Sequence, residues 1–227
     1  MAKLITPTLL NSFDWLKNAP SGYWHNKAVE DFSNMLNRIY GEASPMMSIG
    51  NDIEAAASRF ANYQLRAKTG DPKEVERVKE KFTNLSPQFK RLVDLVSGAA
   101  YQQKAKRIVR VDEEEYLIYG KIDFLFSDMI IDTKVTGEYK GQDRYLSGHQ
   151  HEMYCFCKDI PNFKYIVVEV PDPETKKIRD IFEVPWSTTD TYLLRDPIIE
   201  QIREVIEYIK KDEALSKAYY NKFNLYG

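Results

Sequence analysis

The chain has 227 residues, 43% of them hydrophobic and 29% charged, which excludes a disordered, collagenous or coiled-coil protein. Lys and Arg number 32 and Asp and Glu 34. The resulting net charge of −2 points by itself to no polyanionic partner.

The N-terminal stretch has an early Lys3, and Asn11, Asp14 and Lys17 interrupt its apolar patch, so it makes a poor signal peptide. Thr6-Pro7-Thr8 is a helix-entry signal, and Leu9, Leu10, Phe13 and Leu16 follow at helical spacing, predicting a helix over 7–18. A longer helix is expected from about Asn51 to Arg66, with Ile53, Ala57, Phe60 and Ala61 on one face. Gly70-Asp71-Pro72 breaks the chain, and Lys73 to Phe82 reads as a charged helix. Ser86-Pro87 opens another, carrying Phe89, Leu92, Val93 and Val96.

From about residue 104 the texture changes. Lys104 to Val135 is rich in Ile, Val, Tyr and Phe with polar alternation, and predicts three strands. Asp112 to Glu115 reads as a solvated turn, and Ser127-Asp128 as a hairpin turn. Gly148 to Lys158 predicts a helix. Phe163–Val170 and Lys176–Val184 predict two more strands, joined by the Pro171-to-Glu174 turn. An amphipathic helix through Ile198, Ile202, Val205, Ile206 and Ile209 closes the chain. The expected fold is α/β (α+β mixed sheet), a single domain over 1–227. Its parts are a mainly helical 1–103, a sheet-and-helix core over 104–187, and a helical 188–227.

Only two cysteines occur, Cys155 and Cys157, too few for a disulfide framework or a four-Cys iron–sulfur site. No apolar run approaches the roughly 18 residues that span a bilayer. A cytoplasmic protein without a membrane partner is expected.

The chemistry concentrates in Gly120-Lys121-Ile122-Asp123 and Ile130-Ile131-Asp132-Thr133-Lys134. Residues two apart on a strand share a face, so Asp132 and Lys134 point the same way. They follow an apolar run typical of a strand covered on both faces, where charges need partners or a metal. A hairpin brings Asp123 close to Asp132. Paired carboxylates raise each other's pKa unless a cation neutralises them, and such oxygen ligands suit Mg²⁺ or Mn²⁺. Taken alone, this is equally a hairpin with a surface Asp–Lys pair. Gln150 and Tyr154, four apart, share a face of the next helix. Upstream, Gly50 to Glu54 begins a helix that presents one more carboxylate.

In this order the pieces resemble the RecB-like branch of the PD-(D/E)XK nucleases, together with the phage lambda-type exonucleases. That branch carries an acidic or His residue on an early helix, preceded by a Gly. G-x-x-D follows on a strand, (D/E)-x-K on the next, and Q-x-x-x-Y on a helix. The matching positions here are Glu54, Gly120 with Asp123, Asp132 with Lys134, and Gln150 with Tyr154. The resemblance covers about residues 5–170 and implies a restriction-endonuclease-like core and cleavage of phosphodiester bonds with Mg²⁺ or Mn²⁺. Glu54, Asp123, Asp132 and the Thr133 carbonyl would hold the metal, Lys134 would orient the attacking water, and Gln150 and Tyr154 would steady Lys134 or the scissile phosphate. Asp52 reads instead as an N-terminal helix residue favoured by the dipole. Ala19-Pro20 stands where iron–sulfur members carry Cys-Pro, so no cluster is expected. No phosphate loop is found, implying a nuclease without a fused ATPase.

The resemblance implies a DNA exonuclease of the phage recombination or replication type, in the host cytoplasm if phage-encoded, with a single-strand annealing protein as a partner and a homo-oligomer as an option. An endonuclease of the same fold and a non-catalytic DNA- or protein-binding member are the alternatives. His149, His151, Cys155 and Cys157 are zinc-type ligands, but Cys155 and Cys157 point to different helix faces, and His149 or His151 touching a DNA phosphate is the better expectation. The near-zero total also hides a division. Residues 61–110 hold 12 Lys and Arg against 5 Asp and Glu, whereas 111–227 hold 15 against 23. The basic part precedes the strands that carry the proposed ligands, where it could hold a DNA backbone.

Overall fold

The computed structural model describes residues 2–39, 41–67 and 72–223. A three-residue strand β1 (Lys3–Ile5) leads into the helices α1 (Pro7–Asn18), α2 (Tyr23–Leu36), α3 (Pro45–Ala67), α4 (Pro72–Thr83) and α5 (Pro87–Val96). Three strands follow, β2 (Ala100–Val111), β3 (Glu114–Leu125) and β4 (Met129–Thr136), then the helices α6 (Asp143–Leu146) and α7 (Gln150–Lys158). The strands β5 (Asn162–Glu169) and β6 (Asp180–Ser187) and the helices α8 (Arg195–Lys210) and α9 (Glu213–Lys222) complete the described chain. The fold is mixed α/β, with a central mixed sheet flanked by helices.

Local chemistry sets several boundaries. The Thr6 hydroxyl accepts a hydrogen bond from the Leu9 amide at 3.2 Å, with Pro7 at the first helical position. Ser86 caps Phe89 in the same way ahead of Pro87. The Ser86 hydroxyl satisfies an amide that the first turn leaves without a partner, and the Leu9 amide is shared between the Thr6 hydroxyl and the Thr6 carbonyl.

The sheet divides the core. On one face Leu9, Leu10, Phe13, Phe32, Met153, Phe156, Ile202 and Val205 pack against Tyr116, Ile118, Phe163 and Tyr165. On the other, Ile53, Ala57, Leu92, Val93 and Val96 of α3 and α5 cover Phe124, Ile131, Ile166 and Val168. Alternate residues of β5 therefore enter different cores, which is why its sequence reads as an unbroken apolar run.

The feature that positions the site is an opening beside β3. β2 pairs antiparallel along its whole length on one edge, from Ala100–Leu125 to Val111–Glu114. The other edge is shared: β1 runs parallel to Tyr116–Ile118, and β4 runs antiparallel only at Phe124 and Leu125. β4 then leaves to pair parallel with β5 from Met129 to Thr136. Among the described residues no strand pairs with 119–123 on that edge. There the Tyr154 hydroxyl of α7 takes the place of one, accepting from the Lys121 amide at 3.2 Å and donating to the Lys121 carbonyl at 3.1 Å. The ring lies so close that a Cβ on residue 120 would come within 2.2 Å of Tyr154 Cε1. Gly120→Ala is expected to cost about 1–3 kcal/mol by overpacking, lowering Tm by roughly 2–10 °C. An unchanged melt would show that the ring is not wedged there.

Several expectations need correction. The helix placed over 51–66 starts at Pro45, so Gly50 and Asp52 lie inside it. Asp52 is no dipole-favoured first-turn residue; it pairs on the surface with Lys176 at 3.0 Å. A Cβ on Gly50 would meet Val135 at an ordinary 3.5 Å, so nothing here requires glycine. β2 begins at Ala100 rather than 104, and β6 covers 180–187 rather than 176–184. The chain closes on two helices, because Asp212 caps the Leu215 amide and starts α9. Within the acidic stretch 112–115, Glu114 belongs to β3 and pairs with Lys3 at 2.6 Å. The expected break at Gly70-Asp71 lies outside the described residues.

Candidate active site

Four elements meet at the opening beside β3. Glu54 comes from α3, Asp123 from β3, Asp132 and Lys134 from β4, and Gln150 and Tyr154 from α7. The β3–β4 register explains the carboxylate pair. After Phe124–Ile131 the two strands separate, and the Asp123 side chain spans the widening gap, its Oδ2 accepting from the Thr133 amide at 2.8 Å. In an extended strand one residue presents its N–H and C=O at the same edge. The Thr133 carbonyl therefore faces this same opening.

Asp132 and Lys134 do share a face, with Nζ 2.6 Å from Oδ2. Gln150 joins both: its Nε2 donates to Asp132 Oδ1 at 2.5 Å, and its Oε1 accepts from Lys134 Nζ at 2.8 Å. Tyr154 Oη lies 3.3 Å from the same Nε2. Gln150 thus fixes the lysine against the carboxylate, while Tyr154 closes the β3 edge. Asp132 is 2% exposed, and its Oδ2, although close to the ammonium, finds no well-directed hydrogen-bond donor among the described residues.

Burial and mutual repulsion dominate the electrostatics. Burial, then Asp132 and Glu54, pushes Asp123 up to about 8. Burial and the Asp132 charge push Glu54 up to about 7. Burial raises Asp132 as well, against the opposing pull of Lys134. Burial works against the Lys134 ammonium, but the negative charge of Asp132 beside it outweighs this and holds the lysine more firmly protonated. Three carboxylates around one ammonium leave uncompensated negative charge.

This donor set fits a divalent cation. The oxygens are hard ligands, one buried oxygen lacks a directed donor, and the repulsion is of the kind a cation relieves. Among the described residues no three His, Cys, Asp or Glu side chains are already closed into a metal-binding cluster.

Beside Lys134 and Gln150 lies a cavity of about 490 Å³, lined also by Thr6, Asn11, Arg38 and Lys121. Sequence reasoning missed Arg38, whose guanidinium stacks 5.0 Å from the Phe223 ring. It also missed Tyr101, which shares its β3 neighbour with the site: its ring packs on Phe124, and Gln102 donates to its hydroxyl at 2.9 Å. Gln102 adopts φ 53°, uncommon for a non-glycine, between the paired rungs Tyr101–Phe124 and Gln103–Ile122. No motif carried these residues.

The histidine expectation is corrected. His151 is 2% exposed, packed against Phe163, Tyr165 and Trp186, and burial holds it down to about 4. His149 is also buried, with Nε2 2.5 Å from Asp14 Oδ2. Neither ring is placed to meet a DNA phosphate. Cys155 and Cys157 are buried thiols, each pushed up to about 12 by burial.

No family model and no curated protein matches the chain. Among solved structures it is similar to SSO0001, with 12% identity over 92% of this chain and 77% of that one and a TM-score of 0.47. It is also similar to an alkaline exonuclease from Laribacter hongkongensis, with 12% identity over 96% and 91% and a TM-score of 0.42. A phage-related exonuclease from Haemophilus somnus 129PT gives 14% identity over 94% and 92% and a TM-score of 0.42. All three are distant, and the site is read from this chain's own residues.

Proposed function

We propose that the protein is a metal-dependent deoxyribonuclease of the PD-(D/E)XK type, acting as an exonuclease on linear duplex ends. The observation that carries this reading is the split edge of β3, where Glu54, Asp123 and Asp132 gather around Lys134. Glu54, Asp123, Asp132 and the Thr133 carbonyl would hold Mg²⁺ or Mn²⁺. Such a cation supplies positive charge at the phosphate and a water that loses its proton readily.

The chain's own groups do the positioning. Lys134, kept protonated by Asp132 and aimed by Gln150, offers an ammonium to the attacking water and to charge building on the phosphoryl oxygens. Asp123 ties the opening of β4 to β3 through the Thr133 amide, which sets the separation of the two acidic strands. Tyr154 holds the unpaired edge of β3 at a fixed distance from α7. Glu54 brings the third carboxylate from the opposite layer of the fold.

End-labelled linear duplex and a closed circle, each incubated with Mg²⁺ and with chelator, test the reading. Metal-dependent loss of the linear DNA with the circle spared is expected. Cutting of the circle would make the protein an endonuclease, and no cleavage of any DNA form with any divalent metal would sink the catalytic reading.

A further inference from the structure

We infer that the outward face of the β2–β3 hairpin is the track that holds the DNA backbone leading to the site. This rests on the nuclease reading and names the surface that reading requires. The register puts Lys104 directly opposite Lys121, and Lys106 opposite Tyr119. Directly opposed residues share a face, as do residues two apart on one strand. Lys106 and Lys104 therefore line up along β2, with Tyr119 and Lys121 beside them on β3. Asp123 follows Lys121 by two positions, where the alternation breaks: Ile122 and Phe124 enter different cores and Gln102 adopts φ 53°. Lys104, Lys106 and Lys121 are all exposed, while Ala105, Val109, Tyr116, Ile118 and Ile122 point into the core behind them.

The lysines are not explained by the fold. Like charges directly opposed weaken a hairpin, and an opposite-charge pair there would strengthen it. None of the three has an ion-pair partner among the described residues; Lys106 Nζ sits 5.9 Å over the Tyr119 ring, and Lys121 is only drawn at longer range toward Glu54. Farther out the row loses its excess charge, with Ile108 opposite Leu117 and Arg110 opposite Glu115. The unbalanced charge is confined to the rungs beside the site, where Lys121 and Tyr119 also line the cavity next to Lys134. A row of ammonium groups that costs stability and leads to a phosphodiester-cleaving centre fits a polyanionic backbone.

Lysines on an exposed edge strand can also serve to block edge-to-edge association, and for that a charge of either sign suffices. Sign reversal separates the two roles. The test uses full-length protein carrying Asp123→Asn, which prevents cleavage, and follows the anisotropy of a labelled duplex over a salt series. Lys104→Gln with Lys106→Gln is expected to weaken binding to all sequences alike and to reduce the slope of log K against log salt by about 2. Lys104→Glu is expected to weaken binding further while raising Tm by about 1–2 °C, because it pairs with Lys121. An unchanged affinity and slope in a protein whose Asp123→Asn parent binds DNA would overturn the track and leave the nuclease reading intact. A parent that binds neither duplex nor single strand would overturn both.

Discussion

Asp123→Asn is expected to abolish DNA cleavage and, at the same time, to make the metal-free protein more stable. The amide is nearly isosteric, and its oxygen can still accept from the Thr133 amide, so the β3–β4 opening keeps its shape. Its NH₂ group then faces Asp132, whose buried Oδ2 lacks a well-directed donor. One of three mutually repelling carboxylates is gone. The rate should fall at least a thousandfold, about 4 kcal/mol of transition-state stabilisation, while the metal-free Tm rises by a few degrees. Lys134→Ala should cost as much activity with the opposite effect on stability. It strands Asp132 without its cation, and breaking a buried pair costs about 3–5 kcal/mol, less here because the lysine side chain is 38% exposed. Combining the two changes should lose little more activity than either alone, since groups acting as a unit are not additive. Single-turnover cleavage and thermal melts of both variants check this. A destabilised Asp123→Asn protein, or one that keeps its activity, would contradict the account.

The contrast between these variants also marks what the sequence could reveal. Asp-x-Lys on a strand dictates a shared face, and the two-residue turn Ser127-Asp128 after Phe126 dictates that Asp123 nears Asp132; both are local geometry. The spacing of Gln150 and Tyr154 likewise placed them on one helical face, but their work was not legible. Tyr154 is wedged on Gly120, thirty-four residues away, and substitutes for a missing strand. Glycine at 120 is thus a packing requirement of α7, whereas Gly50, which looked equivalent, has room for a side chain. β1 escaped notice because three residues carry too little pattern, and its parallel pairing with Tyr116–Ile118 depends on partners more than 100 positions distant. α2 escaped because its N-terminus has no side-chain cap and its buried residues are only Ala28, Phe32 and Leu36. The track was hidden for a related reason: Lys104 and Lys121 are far apart in sequence, and only the register sets them face to face.

Adding Mg²⁺ should stabilise the protein strongly at pH 8 and little at pH 5. Asp123 and Glu54 are pushed up to about 8 and about 7, from ordinary carboxylate values near 4. Folding therefore favours their protonated forms. Without metal, the stability this contributes is fully present below about pH 4 and is lost as pH rises through 7 to 8. Other groups act elsewhere on the scale. Glu114 is held down to about 2: burial opposes this, but hydrogen bonds from Lys3, Tyr116 and Lys210 prevail, so its contribution is lost only in acid. His151, held down to about 4 by burial, lowers stability as pH falls below 6.5. Glu152, also raised by burial, acts in the same direction as Asp123 and Glu54, so the acidic cluster's share of the decline is the part that its own variants remove. A cation that binds the ionised carboxylates competes with their protons, so its stabilisation grows as pH rises through 7 to 8. At a concentration one hundred times Kd it would contribute about 2.7 kcal/mol, or roughly 5–10 °C in Tm. Asp123→Asn and Glu54→Gln should each flatten the metal-free decline and reduce the gain from Mg²⁺. Melts from pH 5 to 8.5, with and without Mg²⁺, decide it. A gain of the same size at every pH would mean that the ion binds away from these carboxylates, and no gain at any pH would remove the case for a metal at this site.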